Sequence, residues 1–399
     1  MLSFTSASNG TVDTIQAVEE AIRAASAGRS TSDCRVVAFH MTMGHDDAVV
    51  LGAVRKLCPK ARIVGCTCAG VIGREGANES MRALALMMVW GPEEEVGMTV
   101  AEHVDGSNSL EQAAKLARDL VAQRGQPRFV MYLASGIDID CDRSIEGIES
   151  VLGPNVTIFG GTSADNMKGI ASYQFVDDRV CEHAAVLIGF FDPTLEVYTQ
   201  GSHGFVPSGV EMTVTRATGN RVHELDGEPA WRVFTRNLGL PPTAQPGDTI
   251  PPGAVGVKLS PRVAAEYGDS HLLRVITRTL PDGTFLMPVT CEAGTRLALM
   301  RRDEERIFKN LDVMMNQIKA AIGKRKIVGV FHADCGARGR LTLDRVSKEE
   351  IVRAMQTPLA QGGETPAWLG MYGFGEFARL GAKNEFQNYT TSLYVISRA

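Results

Sequence analysis

Residues 370–391 read GMYGFGEFARLGAKNEFQNYTT, and the rest of the chain is read outward from this stretch. Gly370, Gly373 and Gly375 break two apolar runs, while Glu376 and Asn388 add one carboxylate and one amide. The residues before it, around Trp368 and Leu369, and those after it, Tyr389 to Ser397, are rich in β-formers, so the stretch is expected to be a loop between strands. Glycines bring the backbone close to a docked molecule, and Tyr372, Phe374, Glu376 and Asn388 supply ring faces, a charge and an amide. The plainer alternative is a glycine-kinked hairpin whose aromatics only pack.

Upstream, helical and strand patterns alternate. Thr11 to Ala27 carries apolar residues at Val12, Ile15, Val18 and Ile22 with Gly28 behind them, a helix with a glycine stop. Strands are expected at Arg35–His40, Ala61–Cys66, Ala83–Val89, Phe129–Leu133 and Thr157–Phe159, with helices at Asp46–Leu57, Ser109–Arg124 and Cys141–Leu152. From Tyr173 to about Val257 the pattern turns to short β runs with turn signals at Asp177-Asp178, Gly219-Asn220 and Asp226-Gly227. Further on come a helix at Asp303–Ile322, with Met314 and Met315 in its apolar stripe, and a strand at Lys326–Phe331. The fold class is α/β: two pseudo-related halves with central mixed β-sheets and outer helices. Leu240 to Gly253, with five prolines and two glycines, marks the boundary, giving expected domains 1–240 and 241–399.

Composition narrows the function. A 399-residue chain has ample core, and 44% apolar with 22% charged residues is ordinary globular composition. A net charge of −5 offers no basic footprint, which removes nucleic acid as a partner. The apolar runs Ala83–Trp90 and Ala184–Phe191 fall far short of the roughly 20 residues of a membrane helix, so no membrane insertion is expected. MLSFTSASNG lacks the marks of a secretory signal, so a cytoplasmic protein is expected. The eight cysteines lack CxxC spacing and read as reduced thiols, and Cys66-x-Cys68 as core packing.

Two further stretches carry polar chemistry. Gly160, Gly161, Thr162, Ser163 and Asp165 combine backbone donors, two hydroxyls and a carboxylate, outside both the Walker and dinucleotide spacings; the plain reading has Asp165 bonding its own loop backbone. His332-x-Asp334-Cys335-x-x-Arg338, which continues to Arg340, places a thiol beside an imidazole and a guanidinium, a setting that lowers a cysteine pKa. A cysteine-dependent hydrolase is therefore the enzymatic alternative. Arg338 reads better as a fork for a carboxylate or phosphate. The recognition groups form no catalytic constellation, so the chain is read as a binding protein and not an enzyme.

With these stretches assembled, the sequence resembles the FIST family over nearly its whole length. The resemblance rests on Val64-Gly65-Cys66-Thr67-Cys68-Ala69-Gly70-Val71-Ile72, on Phe159-Gly160-Gly161-Thr162-Ser163-Ala164-Asp165, and on Gly219 to Ala230 with its Leu225-Asp226-Gly227-x-Pro229-Ala230. In the C-terminal part it rests on Asp334 to Gly339, Gly370 to Glu376 and Phe386 to Thr390. It implies a bacterial standalone sensory protein that binds an amino acid or related metabolite and signals to a histidine kinase or cyclase partner. In that frame Gly160, Gly161, Thr162, Ser163, Asp165, Arg338, Tyr372, Glu376 and Asn388 form the expected ligand site, with Glu376 holding an amine and Arg338 a carboxylate. The resemblance also raises a haem-binding nitric-oxide sensor acting on a partner histidine kinase; haem iron needs an axial donor, for which His183 and His271, at the starts of apolar strands, are the candidates.

Overall fold

A computed structural model describes residues 1–246, 253–339, 343 and 345–398. It is an α/β protein with mixed sheets at the centre and helices outside. One connection pattern occurs three times. The first copy runs strand Ser3–Asn9, helix Thr14–Ser26, strand Cys34–Thr42, helix Asp47–Leu57, strand Arg62–Cys68 and closing strand Leu84–Trp90. The second runs Val96–Ala101, helix Ser109–Arg124, Phe129–Ala134, helix Cys141–Leu152, Thr157–Thr162 and Ala185–Phe190. The third runs Leu195–Ser202, helix Glu304–Ile322, Lys326–Cys335, helix Arg345–Leu359, Trp368–Gly373 and Thr391–Arg398. In each sheet the closing strand lies between the first and second strands, antiparallel to both, and the second and third are parallel across a helix. Parallel neighbours need such a crossover.

The three sheets are tied in a ring by exchanged hairpins. Val71–Gly73 with Gly76–Asn78 leaves the first copy and pairs with Trp368–Gly373 of the third. Tyr173–Val176 with Arg179–Glu182 leaves the second and pairs with Arg62–Cys68 of the first. Gly375–Leu380 with Lys383–Gln387 leaves the third and pairs with Thr157–Thr162 of the second. The stretch 370–376, expected as a loop, is thus two strands meeting at Phe374, where the chain passes from one sheet into the next. Its glycines serve that crossing: a Cβ on Gly375 would lie 2.1 Å from the Phe386 ring.

Three inner sheet faces share one core. Phe4 of the first sheet, Phe129, Phe159 and Phe190 of the second, and Phe331 and Tyr394 of the third meet there, with Phe159 and Tyr394 centroids 5.0 Å apart. The outer faces are covered by helix stripes: Val18, Ile22, Val50 and Val54 on the first sheet, Leu116, Leu120 and Ile148 on the second, and Leu311, Met314, Met315 and Ile318 on the third. Aspartates cap four of the helices, Asp13, Asp46, Asp140 and Asp303 each accepting a backbone N–H of the first turn.

Between Leu195–Ser202 and Glu304–Ile322 the third copy carries a largely antiparallel insertion, Phe205–Thr218 through Arg296–Arg302, which accounts for the β-rich middle of the sequence. The proline-rich boundary stretch falls partly on residues 247–252, and Arg340 of the His332 cluster likewise lies outside the described residues. The N-terminal strand Ser3–Asn9 was not expected: a short polar alternation, it is held as an edge by Leu84–Trp90.

Candidate functional site

A cavity of about 290 Å3 opens where the insertion faces the ends of the second and third sheets. Its far wall is Gly136, Ile137 and Asp138, which follow the strand Phe129–Ala134, together with Met167 and Gly169 of the glycine-rich loop. Its floor is Cys335, Ala337 and Phe374. The insertion supplies Val275, Thr277, Arg278 and Leu286, and Arg221 from the strand Arg221–Leu225.

Several residues singled out in the sequence stand one layer behind these walls and hold them. Asp165 accepts from the backbone N–H groups of Lys168, Gly169 and Ile170 at 2.7, 3.1 and 2.9 Å, so it shapes the loop that presents Met167 and Gly169. Ser163 Oγ accepts from Gly136 N at 3.2 Å and from Gln174 Nε2 at 2.6 Å, and meets Ser172 Oγ at 2.8 Å. Asn388 joins two walls: its Oδ1 accepts from Val275 N at 3.1 Å and its Nδ2 donates to the Phe374 carbonyl at 2.8 Å. The Thr162 carbonyl accepts from Phe374 N at 3.2 Å. All four are buried.

The remaining candidates are brought together deeper, away from the cavity surface. Arg338 Nε donates to Asp334 Oδ1 at 2.9 Å, Asp334 Oδ2 lies 3.7 Å from His332 Nε2, and that nitrogen is 2.8 Å from Thr391 Oγ1. Burial would raise the Asp334 carboxyl, but the Arg338 guanidinium and the His332 imidazole outweigh it and hold the group below its usual range. Arg338 therefore serves an internal ion pair. Glu376 is fully buried, and neither carboxylate oxygen has a hydrogen bond of ordinary geometry; the Thr390 backbone and the Cys335 thiol are its polar neighbours. Burial, reinforced by Asp334 and opposed by Arg338, pushes its pKa well up. Tyr372 is buried, exchanging backbone hydrogen bonds of 2.8 and 2.9 Å with Gly70 and Ala69.

Gly160 and Gly161 sit within the sheet, where they pair with Phe377 and Glu376. Gly160 adopts φ 127°, and a Cβ there would lie 2.2 Å from the Tyr132 carbonyl oxygen, so glycine is required.

Cys335 does not have the activated thiol its neighbours in sequence implied. Burial first, then the Glu376 and Asp334 carboxylates, push its pKa well above the ordinary value. The reason is spatial: Arg338 turns to Asp334 instead of the thiol. His183 and His271 do not line the cavity. His271 is buried with Nδ1 2.8 Å from Ser270 Oγ, and His183 takes a positive φ of 51° at a turn where its carbonyl accepts from Val104 N. Neither thus presents an axial nitrogen to the cavity, and no group of three His, Cys, Asp or Glu side chains is placed to hold a metal ion among the described residues.

Three charged wall residues were missed by sequence reasoning: Arg221, Arg278 and Asp138. Their side chains make no ion pair among the described residues. Only the strand register unites the arginines, since each stands directly opposite Leu286, and nothing in a single sequence reports that pairing.

Interlocked sheets thus surround a polar-rimmed cavity. The FIST N domain matches residues 35–228 and the FIST C domain residues 230–379. The chain belongs to the FIST family, whose domains are sensory, small-molecule-binding modules of signal transduction. An uncharacterised protein of Methanocaldococcus jannaschii is 33% identical over 97 residues, covering 24% of this chain; the match spans only 19% of that relative. Among solved structures, cyanuric acid hydrolase from A. caulinodans aligns over all of both chains with a TM-score of 0.37 and 10% identity. PurL of T. maritima aligns over all of this chain and 72% of its own, with a TM-score of 0.23 and 8% identity. No helix among the described residues is long and apolar enough to cross a membrane.

Proposed function

We propose that this protein senses a small metabolite of the amino-acid class and passes its presence to a signalling partner, a histidine kinase or cyclase. The observation that carries the reading is the cavity itself, with walls from both the FIST N and FIST C parts and unpaired charges of both signs. Its volume is at the small end of the roughly 300 to 1,000 Å3 usual for small-molecule sites. A ligand there touches the second sheet, the third sheet and the insertion at once, so its binding energy acts on their relative placement, as a sensor requires. Asp165, Ser163, Thr162 and Asn388 hold the walls; Arg338, Glu376 and Tyr372 support the floor from beneath.

The test is a thermal-shift screen of amino acids and related metabolites on ligand-stripped protein. A true ligand stabilises by about 2.7 kcal/mol when present at roughly 100 times its Kd. No shift with any of them would sink this reading. Haem-linked nitric-oxide sensing and a thiol hydrolase draw no support from the wall chemistry, since the candidate histidines lie elsewhere and the Cys335 thiol is pushed up.

A further inference from the structure

Arg221 and Arg278 stand on either side of Leu286 in a three-strand antiparallel patch, each paired directly with it. Directly opposed residues project to the same face of a sheet, so both guanidinium groups and the Leu286 side chain between them share one face. That face lines the cavity, since all three residues are in its wall. Both arginines are exposed and unpaired among the described residues, free to take a ligand. Among the described residues the only carboxylate in the wall is Asp138, on a separate element, held at φ 50° in the turn after Phe129–Ala134. Between the charges the wall is apolar, with Ile137, Met167, Leu280 and Phe374.

Two cations spaced by one leucine, one anion on a separate element and an apolar lining describe the complement of a short ligand with two carboxylates, one ammonium and an aliphatic stem. We propose that the cavity selects an acidic α-amino acid, its two carboxylates taken by Arg221 and Arg278 and its ammonium by Asp138. Guanidinium binds carboxylate through paired N–H donors, so each arginine reads the presence of a carboxylate and not merely negative charge nearby. A neutral amino acid leaves one arginine without a carboxylate, and a dicarboxylate without nitrogen leaves Asp138 unpaired; each therefore forgoes one charge-assisted contact that an acidic amino acid makes.

This rests on the cavity being the ligand site, and titration calorimetry on the full chain separates the two ideas. L-Glutamate and L-aspartate should bind about tenfold or more tighter than glutamine and asparagine, and Arg221→Ala and Arg278→Ala should each remove about tenfold of that affinity. Asp138→Asn should weaken the acidic amino acids while glutarate and succinate, relieved of an unpaired carboxylate, bind no worse or tighter. Folding of each variant is checked by far-UV CD, and substitution of an exposed arginine leaves the core intact. Glutamine binding as tightly as glutamate overturns the charge selection; if Thr277→Trp, which fills the cavity, abolishes that binding, the cavity reading survives. Binding that persists in Thr277→Trp overturns both. Absence of heat from every one of these compounds overturns the acidic-amino-acid proposal.

Discussion

At position 376 the chain places a carboxyl group where water does not reach and where Asp334 adds a second negative charge nearby. Its folded pKa stands well above its unfolded value, so the stability it permits is fully present below the ordinary glutamate pKa and is lost as pH rises toward the folded one. Replacing it removes that dependence. Glu376→Gln should therefore flatten the decline of Tm from acid toward neutral pH. Parallel Tm-against-pH profiles for the two proteins would contradict the assignment. Breaking the neighbouring ion pair has the opposite sign: Asp334→Asn leaves Arg338 charged and buried without its carboxylate, at a cost of about 3–5 kcal/mol by chemical denaturation. The same surroundings set the behaviour of Cys335. Although it lines the cavity, its raised pKa predicts slow alkylation by iodoacetamide near neutrality and a rate that climbs only as pH is taken above the ordinary thiol range.

Among the elements, glycine substitutions divide by what a methyl group would meet. Gly160→Ala drives a Cβ into the Tyr132 carbonyl at a backbone angle alanine avoids, and should destabilise by about 1–3 kcal/mol or more. Gly52, inside the helix Asp47–Leu57 with open space around it, should instead gain about 0.4–1 kcal/mol on replacement by alanine. Urea midpoints of the two variants check both signs. Elements governed by local periodicity were legible in the sequence: the helices Ser109–Arg124 and Cys141–Leu152 run between the expected residues, because their apolar stripes are written within the segment and Gly125 and Gly153 stop them. The strand Thr157–Thr162 was read short, because its glycines look like a loop until the hairpin Gly375–Leu380 is found beside them. The candidate site was legible in the same degree. Asp165 and Asn388 stand out by type and spacing and do hold the cavity walls, whereas Arg221 and Arg278 become a pair only through their common partner Leu286, fifty or more positions from the first.

For the whole molecule, the exchanged hairpins bind the copies more closely than a division near residue 230 implies. A cut between residues 229 and 230 would take the hairpin Gly375–Gln387 from the second sheet, the strand Leu195–Ser202 from the third, and half of the insertion from its partner strands. Each fragment would be left with open strand edges and an exposed share of the central aromatic core, the conditions under which isolated sheets associate instead of folding. Full-length protein should accordingly unfold in one cooperative transition, with far-UV CD and tryptophan fluorescence coincident, since Trp90, Trp231 and Trp368 report on the first sheet, the insertion and the third sheet. Fragments 1–229 and 230–399 made separately should show no cooperative transition, and made together should assemble into a complex that does. Two resolved transitions in the intact chain, or a native-like melt of either fragment alone, would show that the ring of hairpins contributes little to holding the halves together.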